Sequence, residues 1–363
     1  MTGNDGGGPE SGSSAVIGRL GPASAPGRSS VIGRRGRTSE SGSSSVIGRS
    51  GQTSGAAERI RPERLRPGDL VALVAPAGPP PPEVLQAGID IVQSWGLRVR
   101  VGKHVLDRHP TLDYLAGSDA DRAADLQDAW CDPEVAAVFC VRGGYGCLRM
   151  VDLVDWSAMA AAGPKVFAGS SDVTVLHEFI GARLGLVTLF APMLATLAFT
   201  ADEQAQRHLR STLFDPDAVR VLTRPGAGPL VAGKASGVVV GGNASLLAAG
   251  LAAKAALPAP DGAIAVLEDV NEDPYRLDAI VTKLLRAGWF DGVTGIALGS
   301  WADCGELAHV RATLLDRLGG LGVPIAWELG FGHCPAALTV PLGLVADLDA
   351  VAGTLTMRSS ALR

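Results

Sequence analysis

A serine at a predicted strand-to-helix turn is the first group in this sequence that could act as a nucleophile. Residues 166–168 are apolar, as in a short buried strand, and apolar residues recur at helical spacing from Val173 onward. Ser171 lies at the switch, where a tight turn would expose its hydroxyl and aim the N–H of Asp172 at a developing oxyanion. The pattern also allows a second interpretation, in which Ser170 or Ser171 only caps the helix.

A serine nucleophile needs a base, and the base needs a carboxylate that orients it. Of the six histidines, His333 lies in a glycine-rich loop, and loops hold functional residues more often than patterned helix faces do. We expect His177, on the helix after the serine, to pack or to be partly exposed, and the other four to lie at the surface. His333 is therefore the candidate base.

Glu268 is the candidate carboxylate because it directly follows the apolar residues 263–267. This position is the carboxyl end of a predicted strand, where the sites of α/β proteins lie. Asp269 should point to the opposite side, and Glu272 and Asp273 fall in the next turn, where capping is expected. Spacing alone leaves both catalysis and capping open for Glu268.

A glycine-rich loop, Arg142-Gly143-Gly144-Tyr145-Gly146, follows another predicted strand. Paired glycines at a strand end leave backbone N–H groups free to approach a ligand closely. The alternative is an ordinary turn. The spacing is not that of a dinucleotide-binding fingerprint.

The elements that must position these groups alternate between strand and helix, which is typical of an α/β protein. Gly241-Gly242-Asn243 is predicted to turn between a strand and a helix. The predicted strands lie near residues 70–75, 97–101, 136–141, 166–168, 186–190, 237–240, 263–267, 296–298, 324–325 and 338–342. The predicted helices lie near residues 82–95, 119–130, 274–287 and 307–318, with a shorter helix through residues 246–247.

We predict three segments. Residues 1–60 form a Gly/Ser/Arg tail in which Val-Ile-Gly-Arg recurs at residues 16–19, 31–34 and 46–49. Each repeat offers only two residues for burial, too few to offset the backbone ordering cost of roughly 1–2 kcal/mol per residue, so we expect disorder there. Residues 61–222 form an N-terminal α/β domain with the nucleophile, and residues 223–363 form a C-terminal domain with the Glu and His.

Charge and composition exclude several classes of function. Residues 56–363 contain 26 basic and 34 acidic side chains, so this body should not bind nucleic acid. No uninterrupted apolar run is long enough to span a membrane, and no signal peptide pattern is present. The five cysteines include no CxxC pair and no zinc spacing, which favours a reducing compartment, so we expect a cytoplasmic protein without a metal site.

Five motifs in order resemble those of the LD-carboxypeptidases, a serine peptidase family that includes muramoyltetrapeptide carboxypeptidases and microcin C self-immunity hydrolases. The resemblance covers roughly residues 65–357. The motifs are Arg142–Gly146, Gly169–Thr174, Gly241–Asn243, Leu267–Asp269 with Pro274–Asp278, and Gly332-His333 with Thr339–Gly343. The sequence departs from the family pattern at Ser170, where an aromatic residue is usual.

The resemblance implies a flavodoxin-like parallel-sheet N-terminal domain plus a smaller β-rich α/β C-terminal domain, commonly in a homodimer. It implies Ser171 as nucleophile, His333 as base and Glu268 as its partner, with no cofactor or metal. The implied oxyanion hole is made by the N–H groups of Gly144 and Asp172. Gly143, Tyr145 and Asn243 are the candidate substrate contacts.

The implied reaction releases terminal D-alanine from murein tetrapeptides in the cytoplasm by hydrolysis of an L,D-amide. Two alternatives remain: a microcin C-type hydrolase of aminoacyl-nucleotide amides, and a non-catalytic flavodoxin-like binding module. A nucleotide substrate needs an aromatic surface near the nucleophile, because base stacking contributes roughly 1–3 kcal/mol. Trp301 is the discriminating candidate, and we expect it to be part of the core.

Overall fold

A computed structural model describes residues 59–252 and 261–363. The repeat-containing tail lies outside the described residues, apart from its last two positions. The described chain is α/β, with a mainly parallel N-terminal sheet and a second, β-rich part, as predicted. No helix in these two ranges is both long and apolar enough to cross a membrane.

Fourteen strands are found in the described ranges, and they are numbered in chain order. They are β1 (Leu70–Val74), β2 (Arg98–Val101), β3 (Val135–Cys140), β4 (Val166–Gly169), β5 (Thr188–Phe190), β6 (Val221–Leu222), β7 (Gly228–Val231), β8 (Lys234–Asn243), β9 (Ala263–Val270), β10 (Val293–Ala302), β11 (Ile325–Trp327), β12 (Val340–Leu342), β13 (Val345–Asp349) and β14 (Thr354–Met357).

Ten α-helices lie between them in the same ranges, several of them at predicted positions. They are α1 (Pro82–Ser94), α2 (Asp119–Cys131), α3 (Cys147–Met150), α4 (Trp156–Ala162), α5 (Thr174–Arg183), α6 (Leu197–Thr200), α7 (Glu203–Phe214), α8 (Ala244–Gly250), α9 (Pro274–Arg286) and α10 (Leu307–Leu318). Ser118 begins α2 through a reciprocal capping box with Asp121.

The first sheet has the strand order β12-β5-β4-β3-β1-β2. All of its pairings are parallel except that of β12 with β5. Strands β1 and β4 are buried along their whole length, as expected for parallel strands with both faces covered. The carboxyl ends of β3 and β4 therefore meet at one edge, where the glycine-rich loop and Ser171 follow.

The second sheet has the order β6-β14-β13-β8-β9-β10-β11-β7, with parallel pairing from β8 through β11. The prediction of a turn at Gly241-Gly242-Asn243 is wrong, because β8 continues through these residues and Asn243 pairs with Glu268 of β9. Gly242 has φ 145°, and a Cβ there would lie 2.7 Å from Thr174 Oγ1. Glycine thus lets β8 approach α5, the helix that follows Ser171.

The two sheets exchange strands across the predicted boundary between residues 222 and 223. Strand β12, from the C-terminal side, completes the first sheet, and β6, from the N-terminal side, joins the second. One buried apolar cluster includes Leu189 of β5, Val239 of β8 and Val340 of β12. The sheets therefore share a core.

Candidate active site

After β4 ends at Gly169, the chain enters a 3-10 turn, Ser171–Val173, before α5 begins. Ser171 has φ 58°, an uncommon conformation for a residue with a side chain. Neither Ser170 nor Ser171 makes a capping hydrogen bond to the turn or to α5. The capping interpretation is therefore wrong, and the strained backbone is typical of a nucleophile elbow.

The glycine-rich loop packs directly against this turn. A Cβ built on Gly143 would lie 2.9 Å from Cβ and 3.1 Å from Oγ of Ser171, so only glycine fits there. The main-chain N–H groups of Gly144 and Asp172 have no hydrogen-bond acceptor among the described residues. Both are thus available as donors to a ligand.

His333 and Glu268 form a close pair. Nδ1 of His333 lies 2.7 Å from Oε2 of Glu268, and the main-chain N–H of His333 donates to the same oxygen at 3.1 Å. Glu268 is fully buried, whereas the His333 side chain is 30% exposed. A carboxylate only accepts, so Nδ1 holds the proton and Nε2 is left as an acceptor, the tautomer that a general base requires.

Gly332 makes this contact possible. It has φ 94°, and a Cβ there would lie 2.5 Å from Oε2 of Glu268. Any side chain at this position would push the loop away from β9. The residue before His333 is therefore restricted by the carboxylate that orients the imidazole.

Hydrogen bonds connect α5, the helix after Ser171, to the His333–Glu268 pair. Oγ1 of Thr174 accepts from the main-chain N–H of Asn243 at 3.0 Å, and Nδ2 of Asn243 donates to Oε1 of Glu268 at 3.1 Å. In the described part of the chain, no hydrogen bond joins Ser171 to His333. Catalytic hydrogen bonds are often long without substrate, and this connection fixes the elements on which both residues lie.

The side chain of Asn243 is 2% exposed and fully engaged with protein atoms. Its amide also donates to Asp269 at 2.9 Å, and its carbonyl accepts from Leu246 N at 3.2 Å. These bonds use both amide protons, so the buried side chain has no donor left for the predicted substrate contact. Asn243 instead holds Glu268.

Asp269 does not point away from Glu268 as strand alternation predicts. Both carboxylates accept from the Asn243 amide, and Asp269 also accepts from Oγ and N of Ser245. Burial raises the pKa of Asp269, and the charge of Glu268 raises it further. Sequence reasoning assigned no role to Asp269, Ser245 or Thr174, whose contacts depend on the pairing of β8 with β9.

The acidic groups around His333 stabilise its protonated form. Burial lowers the pKa of His333, but the charge of Glu268, its hydrogen bond and the charge of Asp269 more than offset this effect. The pKa of the imidazole is therefore raised above its ordinary value. The protonated form of His333 is stabilised by the same groups.

The other histidines differ partly from expectation. His177 is 1% exposed, packs against Phe167 and Phe190, and bonds through Nε2 to the carbonyl of Gly169 at 2.9 Å. Burial lowers the pKa of His177 to about 4, so it donates this bond as a neutral ring. His104, His109 and His208 are half-buried rather than fully at the surface, and Nδ1 of His208 accepts from Thr339 N at 3.0 Å. His309 is exposed, as predicted.

The remaining candidates are placed as follows. Tyr145 is 49% exposed at the glycine-rich loop, whereas Trp301 is 4% exposed and part of the core. Glu272 pairs with Arg276, and Asp273 lies at the N-cap of α9 without a side-chain cap bond. Within residues 59–252 and 261–363, no group of three or more His, Cys, Asp or Glu side chains is arranged to hold a metal ion.

Two family models match the chain. The LD-carboxypeptidase N-terminal domain matches residues 71–191, and the LD-carboxypeptidase C-terminal domain matches residues 236–348. The first range contains the glycine-rich loop and Ser171, and the second contains Glu268 and His333.

Individual relatives agree with these matches. A Streptomyces coelicolor protein named "Putative carboxypeptidase" is 59% identical over 84% of this chain and 98% of its own. The murein tetrapeptide carboxypeptidase of Pseudomonas aeruginosa is 32% identical over 77% of this chain and 92% of its own. The solved structure of MccF in complex with glutamyl sulfamoyl guanosine shares the fold, with a TM-score of 0.74 at 21% identity over 84% of this chain and 100% of that one. From the two family models and these identities, the chain belongs to the LD-carboxypeptidase family.

Proposed function

We propose that this peptidase is a serine-type LD-carboxypeptidase that releases terminal D-alanine from murein tetrapeptides. The proposal rests on one observation above all: the 2.7 Å contact between His333 and buried Glu268, which Asn243 connects to the helix that follows Ser171. Relatives named as murein peptide carboxypeptidases support the substrate class.

In this mechanism, Oγ of Ser171 attacks the carbonyl carbon of the L,D-amide while Nε2 of His333 takes the hydroxyl proton. Glu268 keeps Nδ1 protonated and stabilises the imidazolium. The proton then passes to the amide nitrogen, D-alanine leaves, and water hydrolyses the acyl-enzyme with His333 again as base. The N–H groups of Gly144 and Asp172 stabilise the oxyanion, with a contribution of about 3 kcal/mol per donor.

Burial of Trp301 and Phe331 removes two candidate stacking surfaces for an aminoacyl-nucleotide. Trp301 and Phe331 are 4% and 0% exposed, so neither offers a face for stacking to a base. Tyr145 and Tyr275 are exposed, but both belong to motifs that murein-cleaving members of the family share.

The proposal places the enzyme in the cytoplasm as a homodimer. All five cysteines are free thiols, as a reducing compartment favours. Light scattering on the purified protein tests the dimer, and fractionation of cells that express the full chain tests the compartment.

Mass spectrometry after incubation with murein tetrapeptide tests the function. We expect loss of D-alanine with the wild-type protein and none with Ser171→Ala. A higher kcat/KM for an aminoacyl-sulfamoyl nucleotide would reject the murein assignment in favour of the microcin-type activity. Absence of turnover with both substrates would favour a non-catalytic binding module.

A further inference from the structure

The loop that contains His333 is bonded on both sides of the histidine. This loop, residues 330–339, lies between β11 and β12 and forms neither helix nor strand, and we call it the His333 loop. Before the histidine, the carbonyl of Phe331 accepts from the main-chain N–H of Ser300 in β10 at 2.9 Å. After the histidine, two main-chain N–H groups of the loop donate to side chains of α7 and of the residue that caps it.

Asp202, the N-cap of α7, bonds to its own helix and to the loop through different oxygens. Oδ1 accepts from the N–H groups of Gln204 and Ala205 at 2.9 and 3.0 Å, which caps the helix. Oδ2 accepts from Ala336 N of the His333 loop at 2.6 Å. Burial raises the pKa of Asp202, but these hydrogen bonds lower it more, so the carboxylate is ionised at neutral pH. The cap therefore does not require Oδ2.

His208 makes the second bond from the same helix. Its Nδ1 accepts from Thr339 N at 3.0 Å, and since a main-chain N–H only donates, Nδ1 is unprotonated and the ring is neutral. Burial lowers the pKa of His208 to about 4, so the ring keeps this acceptor at neutral pH. Thr339 directly precedes β12. The two bonds thus hold the part of the loop between His333 and the first sheet.

These bonds bear on the candidate base because His333 contacts Glu268 through both its ring and its main chain. A displacement of the loop would lengthen both bonds, and hydrogen bonds weaken steeply as their geometry worsens. We propose that Asp202 and His208 are positioning residues, which hold the His333 loop so that the imidazole stays against Glu268. The inference rests on the proposed function and deepens it, because α7 belongs to the N-terminal part of the chain that also contains Ser171.

Asp202→Asn separates the helix cap from the bond to the loop. Asparagine caps helices about as well as aspartate, and its Oδ1 keeps the bonds to α7. Its Nδ2 replaces Oδ2 and only donates, so the N–H of Ala336 loses its acceptor. We expect kcat for murein tetrapeptide to fall about tenfold or more, with little change in KM and in Tm, because small displacements of catalytic groups are costly.

Asp155→Asn is the matched control. Oδ1 of Asp155 caps α4 by accepting from the N–H groups of Ser157 and Ala158, both at 3.0 Å. Within the described residues, Asp155 makes no bond to the His333 loop. The same substitution at this N-cap should therefore leave kcat unchanged.

His208→Leu removes the second acceptor, and His208→Asn supplies one again. Oδ1 of asparagine is attached to Cγ, as Nδ1 is in histidine, so it can accept from Thr339 N. We expect kcat to fall about tenfold or more in His208→Leu and to be largely retained in His208→Asn. Asp202→Asn tests the proposal by itself if His208→Leu does not fold.

An NMR titration of the His333 ring tests its position without turnover. Burial lowers the pKa of His333, but the charge of Glu268 and its hydrogen bond raise it more. A loop displaced from Glu268 loses part of this effect, so the midpoint should move to lower pH in Asp202→Asn and His208→Leu. The shift in His208→Leu cannot come from a changed charge, because the ring it removes is neutral.

The outcomes separate this inference from the proposed reaction. If the wild-type protein releases no D-alanine but the midpoint of His333 moves in these variants, only the proposed reaction fails. An unchanged midpoint in His208→Leu, or a lower Tm with unchanged kcat, would show that α7 has a structural role alone and would overturn the inference. An equal loss of kcat in Asp155→Asn would overturn it as well.

Discussion

The buried carboxylate of Asp172 accepts a hydrogen bond from the main-chain N–H of Cys147 over 2.7 Å. Asp172 directly follows the proposed nucleophile, and Cys147 directly follows the glycine-rich loop. One side chain thus connects the two segments that supply the proposed oxyanion donors. Burial raises the pKa of Asp172, and its hydrogen bond with Cys147 opposes the shift.

Asp172→Ala should lower kcat by about tenfold to a hundredfold with a smaller change in KM. The substitution leaves the Cys147 N–H unpaired, which costs about 1–3 kcal/mol, and loosens the loop that holds the Gly144 N–H. Asp172→Asn retains an oxygen acceptor and should keep most of the rate. Steady-state kinetics on the three proteins provide the check, and an unchanged kcat in Asp172→Ala would contradict a positioning role.

Ser171→Ala should abolish hydrolysis, whereas Ser170→Ala should retain most of it. Ser171 has the strained backbone of the turn, while Ser170 is 8% exposed and extended, with φ −151°. A serine-directed phosphonate followed by peptide mapping identifies the reactive hydroxyl. Covalent labelling of Ser170 would show that the assignment is wrong.

Glu268→Gln should preserve the fold and lower kcat by orders of magnitude, about 10⁴ by analogy with other orienting carboxylates. The matched control is Glu272→Gln, because Glu272 pairs with the exposed Arg276 rather than with a histidine. Steady-state kinetics and thermal melts on Glu268→Gln and Glu272→Gln test which carboxylate supports catalysis. If Glu272→Gln caused the larger loss of rate, the carboxylate would have to be reassigned.

The acid limb of the kcat/KM profile should have its midpoint above the ordinary His pKa of about 6.5. His333 accepts a proton only as the neutral imidazole, so activity is lost as pH falls through its raised pKa. Removing the negative charge in Glu268→Gln should move this midpoint to lower pH in the residual activity. A midpoint that stays in place would mean that another group titrates.

Glu178 on α5 should make the protein less stable at alkaline pH. Burial raises its pKa to about 8, although the charge of Arg59 opposes the shift. The folded state therefore retains a proton that the unfolded state loses near pH 4.5, and the free energy of unfolding falls as pH rises from about 4.5 through about 8. Glu178→Gln should raise Tm by at least about 2 °C at pH 9 and have little effect at pH 4, as melts at the two values would reveal. A lower Tm for the variant at pH 9 would exclude this explanation.

Local signals in the sequence predicted the elements that present the candidate residues. The strand before Ser171 and the helix after it depend on contacts within a few residues, so apolar periodicity suffices to locate them. The α/β class follows from the same alternation. Glu268 follows a predicted strand and His333 lies in a glycine-rich loop, and these local contexts indicate both as candidates.

The environment of these residues depends on pairing between distant segments. Asn243 reaches Glu268 because β8 and β9 pair in a register that sets these two residues side by side, and Thr174 reaches Asn243 from 69 positions away. Likewise, β12 joins the first sheet by pairing with β5, more than a hundred residues earlier in the chain. No local pattern specifies such a register, since it is decided by how the shared core packs.

The sequence by itself determined which residues could do chemistry, because a strained turn, a strand end and a glycine loop are encoded locally. Only the tertiary structure decided what surrounds them. In the folded chain, the amide of Asn243 donates to Glu268. Arg108 and Asp113 line the same cavity as Arg142. The physical reason is that hydrogen-bond partners and cavity walls come from segments far apart in the chain, which burial of the common core brings together.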